Sequence, residues 1–161
     1  MKSIVRSRKL AAKMNRPGPK AKPGLTLLYS DPKYGFHLKL PRSWKCYTVV
    51  KRTGRTGDEE YGVHFYFKYK GKVYEPALSM LVFRMTLKKW RDDGYDESPF
   101  IRLAVRDGLI FAYIVPEELP SEFLNKSGDD YDYKKYGRPI RLLKHMVNDD
   151  VPRIVKTFKL K

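Results

Sequence analysis

Several stretches of the chain alternate apolar and polar residues with a period of two, the pattern of a strand with one buried and one wet face. In residues 36–40, Phe36, Leu38 and Leu40 alternate with His37 and Lys39, and Pro41 ends the run. The longest alternation covers residues 61–69. Tyr61, Val63, Phe65, Phe67 and Tyr69 share one side, and His64, Tyr66, Lys68 and Lys70 the other. Between these two, residues 46–51 are rich in Tyr, Thr and Val and predict a strand, followed by a polar loop over 52–60. Residues 78–85 and the run LIFAYIV (109–115) are apolar on both faces, which predicts strands covered from both sides. Within residues 100–115, Asp107-Gly108 stands between two strand-like runs and supplies the positive φ angles of a two-residue hairpin.

Helical spacing enters later in the chain. Thr86 is placed to cap a short helix carrying Leu87 and Trp90 on one side. Ile140, Leu143 and Val147 follow Pro139 at helix spacing, predicting the longest helix at 138–147 with the proline in its first turn. Residues 148–152 carry a second helix-start signal, and Thr157 to Leu160 alternate as a closing strand. Strands first, then helices, then one strand predicts an α+β fold. Its antiparallel sheet of about six strands is flanked by helices, as one domain over residues 25–161.

Charge separates that body from what precedes it. The chain has 161 residues and a net charge of +16. Residues 1–24 contain Lys2, Arg6, Arg8, Lys9, Lys13, Arg16, Lys20 and Lys22 and no acidic residue. Three prolines and two glycines in RPGPKAKPG (16–24) oppose regular helix, so this segment is expected to be a flexible basic arm and linker. A single cysteine, Cys46, excludes an internal disulfide and any multi-cysteine metal cluster. The sequence has no apolar run of the ~18 residues a membrane helix needs, and its basic start leads into no secretory apolar segment. A soluble, cytoplasmic protein is the expectation.

Part of the body looks familiar. In DPKYGFHLKLPRSWKCYTVV (31–50), Tyr34, Gly35, Phe36, Leu40, Pro41 and Trp44 resemble the opening of PsbP-like domains: an aromatic-Gly-Phe strand, an apolar-Pro-x-x-Trp turn, then a second strand. IVKTFKL (154–160) is similar to the helix-then-strand end of the same group. The resemblance covers roughly a quarter of the body. It implies an antiparallel sheet sandwiched by helices and a binding role, since members are mostly non-catalytic: photosystem II extrinsic proteins, a Ran-GTPase-binding protein and bacterial lipoproteins of unassigned role. It carries no catalytic residues.

Catalytic constellations are not apparent. The chain has no G-x-S-x-G elbow, and Cys46 pairs with His37, His64 or His145 by no motif. Asp129-Asp130-Tyr131-Asp132 lacks the glycine and glutamate of a calcium loop and reads as a solvated acidic turn. RTGRTGDEE (52–60) lacks the phosphate-loop lysine and helix start. The adjacent pairs Asp92-Asp93, Glu117-Glu118 and Asp149-Asp150 diverge on a helix or strand and suit turns and caps. No metal or cofactor is expected. The charge points to a non-catalytic module docking a macromolecular partner, with the arm cations attracting an anionic surface. The alternative is sequence-independent nucleic-acid binding through the arm and a sheet face of His64, Tyr66, Lys68 and Lys70.

Overall fold

Pairing is densest where the period-two pattern is longest. The computed structural model describes residues 25–161, and the basic arm lies outside the described residues. Strands Thr26–Ser30 (β1) and Phe36–Pro41 (β2) are followed by a single helical turn, Trp44–Tyr47 (α1), and strand Thr48–Thr53 (β3). Tyr61–Tyr69 (β4) turns through Lys70-Gly71 into the long strand Lys72–Arg84 (β5). Pro76, which cannot donate to a ladder, sits at an irregular step of that pairing. Helix Leu87–Asp92 (α2) is capped by Thr86, which accepts from the Lys89 amide at 3.1 Å. Ile101–Arg106 (β6) and Leu109–Ile114 (β7) meet at Asp107-Gly108, with φ of 53° and 75°, the two positive values that a type I′ turn demands. Helices Tyr133–His145 (α3) and Val151–Lys156 (α4) and the short strand Lys159–Leu160 (β8) close the chain.

The fold is α+β and its sheets are antiparallel, in the orders β1-β2-β8 and β3-β4-β5-β7-β6. Eight strands in two sheets replace the expected single sheet of about six. Interior strands β5 and β7 are covered on both faces, as their unbroken apolar runs require. Leu78, Met80, Val82 and Phe111 join the main core with Phe36, Leu38, Trp44, Phe65, Ile140, Leu143 and Ile154. On the opposite face Leu81, Phe83, Ile110 and Ala112 pack under Trp90 of α2. Among the described residues no helix is long and apolar enough to cross a membrane.

Three boundaries depart from the expectations, each for a local reason. Cys46 is exposed on α1, whereas a strand from residue 46 was expected. Trp44 turns into the core, and the Thr48 hydroxyl donates to its carbonyl at 2.5 Å, delaying the strand to Thr48. Helix α3 starts five residues early, capped by Asp132 accepting from the Lys135 amide at 2.9 Å. Its backbone leaves helical geometry at Tyr136 (φ −114°, ψ 19°), which relieves the clash between the Pro139 ring and the carbonyl four residues before it. Pro139 therefore does occupy the first turn of the second segment. Beyond His145 the chain passes through a π turn, Met146–Asp150, into α4, and this wider turn accommodates the missing donor of Pro152.

That π turn carries a buried carboxylate. Asp150, 6% exposed, accepts from the Trp44 indole N–H at 2.9 Å and lies 3.3 Å from His145 Nε2. Trp44→Phe keeps a six-membered aromatic ring but removes the donor and part of the buried volume, with an expected loss of at least about 1–3 kcal/mol, read as a lowered urea midpoint at constant slope. Burial raises the Asp150 pKa, so its folded form holds a proton more tightly than the unfolded chain does. The penalty for ionising it is absent below the unfolded value of about 3.9 and grows as pH rises through the raised folded value. Asp150→Asn keeps an oxygen acceptor and is expected to gain stability relative to wild type as pH rises from about 4 toward neutrality. A difference independent of pH would contradict this assignment.

Candidate functional site

The β4–β5 hairpin and the start of α3 bring together residues about sixty positions apart in the chain. Between them lies a cleft of about 560 Å3, within the ~300–1,000 Å3 of ligand clefts. The hairpin wall presents Tyr69, Lys70, Lys72 and Tyr74, and the helix wall Tyr133, Lys134, Lys135, Tyr136, Arg138 and Arg141. Its spacing is set by aromatic packing beneath. Phe67 lies 5.7 Å from Tyr74, Tyr74 4.9 Å from Phe123, and Phe123 5.2 Å from Tyr136, between ring centroids. Phe123, in the 3-10 turn Ser121–Phe123, is fully buried.

Charge in this cleft is of one sign. Lys70, Lys72, Lys134, Lys135, Arg138 and Arg141 are exposed, and among the described residues none of the six is ion-paired. Asp132, next to the helix wall, is held by its capping bond. Cations on adjacent helix turns stand closer than the ~8 Å Debye length of physiological salt, so their potentials add. Three of the lysines rest on tyrosine faces: Lys70 on Tyr69, Lys72 on Tyr74 and Lys135 on Tyr136, at 5.8, 5.2 and 5.2 Å from the ring centroids. Contacts of this kind at exposed sites contribute about 0.5–1 kcal/mol, so an anionic group can draw the ammonium away. Tyr133, at the mouth, is 43% exposed. Burial, and then the nearby Glu122, raise the Tyr74 pKa, keeping its hydroxyl neutral.

The sheet-face group named from the sequence is divided. Lys70 sits in the hairpin turn and lines the cleft. His64, Tyr66 and Lys68 alternate onto the face of β4 away from the main core, where Lys51 of β3 lies 5.1 Å from the Tyr66 ring. His64 is tied down, with Nε2 2.8 Å from Thr53 Oγ1 and Nδ1 2.8 Å from Ser79 Oγ. A side chain at Gly62 would meet that imidazole at 2.7 Å, so the ring occupies the space a glycine leaves open. The eight arm cations fall outside the described residues. The apolar spacing of 138–147 gives no sign of the helix-wall cations, although YKKYGRPIR (133–141) holds four cations and two tyrosines in nine positions.

Other polar groups serve the fold. Buried Asp31 accepts from Tyr29 and Tyr61 hydroxyls at 3.1 and 2.6 Å and from the amides of Lys33 and Tyr34 at 3.1 and 2.6 Å. Burial pushes the Tyr29 hydroxyl up to about 12, and raises that of Tyr61 too. Glu60 pairs with Arg84 at 2.8 Å and accepts from Tyr34, anchoring the 54–60 loop; the two partners hold its carboxyl below the usual range. Asp129 accepts from Asn125 and Ser127 within its turn. Cys46 makes no side-chain hydrogen bond, and no three metal-ligating side chains converge, both among the described residues. Compared with known proteins, the chain matches no family model, no curated protein and no solved structure.

Desolvation lowers the His64 pKa. Above the unfolded value of about 6.5 this histidine has no effect on the pH dependence of folding. As pH falls through that value toward the lower folded one, the unfolded chain takes up the proton first and stability is lost. The imidazole Cε1–H resonance of His64 is expected to titrate below pH 6.5; a midpoint at or above that of a free imidazole would contradict its burial.

Proposed function

We propose that this chain is a non-catalytic binding module that docks an anionic macromolecule in the cleft between the β4–β5 hairpin and α3. The observation that carries the reading is the gathering of six exposed, unpaired cations on two facing walls. Folding gains nothing from such a cluster, because like charges at this range repel. A polyanion turns that repulsion into attraction and releases its own condensed counterions. The cleft is lined by more cations than one small anion can engage, which favours an extended ligand. The expected basic arm, Lys2 to Lys22, adds long-range attraction and no specificity. Likeness of residues 31–50 to PsbP-like domains agrees with a binding role. Of the residues that carry the likeness, Phe36, Leu40 and Trp44 are core residues and none lines the cleft, so that likeness bears on the scaffold and leaves the cleft to this chain.

Binding of a fluorescein-labelled heparin fragment to the full chain tests the reading. Lys134→Gln with Arg138→Gln is expected to weaken binding at least tenfold at low salt and to flatten the slope of log K against log salt by roughly 1.5 to 2. Lys88→Gln with Lys89→Gln removes the same charge from α2, where each lysine is already paired with an aspartate, and is expected to change affinity less than threefold. Equal effects of the two pairs would place the contact outside the cleft.

A further inference from the structure

The cleft alternates cations with aromatic rings, and the two surfaces ask for different things from a ligand. We infer that its ligand is single-stranded nucleic acid, with phosphates on the cations and bases against the tyrosine rings. This inference rests on the anionic docking proposed above and names its substrate class.

Three observations favour a single strand over other polyanions. First, tyrosine lines both walls, with Tyr69 and Tyr74 facing Tyr133 and Tyr136 across the cleft. A ring face carries negative charge and offers nothing to a carboxylate, so an acidic peptide would engage only the tyrosine hydroxyls and leave the ring faces unused. A base stacks on such a face whatever its identity. A duplex keeps its base faces inside its own stack and cannot present them.

Second, the lysines resting on Tyr69, Tyr74 and Tyr136 are arranged for exchange. When an ammonium swings to a phosphate, the face it covered opens to the adjoining base, so each nucleotide satisfies both halves of one lysine–tyrosine pair. Third, Arg138 and Arg141 are three residues apart and share a helix face. Side by side, their two guanidinium groups can hold phosphates of one strand. Stacking on a ring and contact with phosphate are indifferent to base identity, so this mode of recognition is independent of sequence.

The decisive comparison holds phosphate number constant. A fluorescein-labelled oligothymidylate of about twelve nucleotides and an abasic strand of equal length are titrated with the full chain by fluorescence anisotropy. The wild type is expected to prefer the strand with bases by about tenfold. Tyr69→Leu with Tyr133→Leu is expected to bring that preference below twofold. Tyr133→Phe, which keeps the ring, is expected to retain the preference, and far-ultraviolet circular dichroism identifies any variant that fails to fold. Equal affinity of the wild type for both strands overturns the inference, as does a preference that survives loss of the two rings or tighter binding of polyglutamate than of oligothymidylate. In those cases heparin binding that still depends on Lys134 and Arg138 leaves the anionic docking in place. If Lys134→Gln with Arg138→Gln leaves every probe bound as in the wild type, both readings fail.

Discussion

Packing of Tyr74 and Tyr136 against the two sides of Phe123 fixes the distance between a β-hairpin and a helix that share no backbone pairing. Phe67 extends the column into the main core. Burying an aromatic ring contributes several kcal/mol, and truncating one to alanine in a core costs about 3–5 kcal/mol. A column of this kind is strong enough to hold two positively charged surfaces against their mutual repulsion. The far end of the helical segment is fixed separately, where Trp44 donates to Asp150 across 106 positions of sequence. The chain between these two anchors can carry charge on its outer face because its inner face, Ile140, Leu143 and Met146, is buried.

The two families of polar residues in the fold differ in what they leave unsatisfied. Asp31, Glu60, His64 and Asp150 each meet partners inside the protein; hydrogen bonds from Arg84 and Tyr34 lower the Glu60 pKa, and burial lowers that of His64 and raises that of Asp150. Of the six cleft cations, three rest on tyrosine faces, a weak and exchangeable contact, and none is ion-paired among the described residues. Function is therefore sought where the fold leaves charge uncompensated. Residues 31–50 sit elsewhere, and Phe36, Leu38, Leu40 and Trp44 among them shape the core.

Much of the scaffold was legible in the sequence because period-two alternation and turn chemistry are local signals. β4 spans the predicted residues, the Asp107-Gly108 hairpin forms with both positive φ angles, and Thr86 caps its helix. β1 escaped notice because adjacent Leu27 and Leu28 break the alternation, and Leu28 stays exposed on an edge strand. The two-sheet division was equally hidden, since which strands pair is a long-range property. The cleft lay beyond sequence reading for the same reason. Lys70 was picked out for the wrong surface, and its neighbours across the cleft are supplied by tertiary packing of a helix whose first turn was not expected.

Everything functional in this account depends on the cleft being the surface that meets the ligand. Backbone amide chemical shifts of the isotopically labelled full chain, followed during titration with an unlabelled single-stranded oligonucleotide, locate that contact directly. The account predicts that the largest changes fall within residues 69–74 and 133–141, with the outer face of β4 around His64 and Tyr66 little affected. Changes concentrated on that sheet face, or confined to residues 1–24 with the cleft silent, would contradict it.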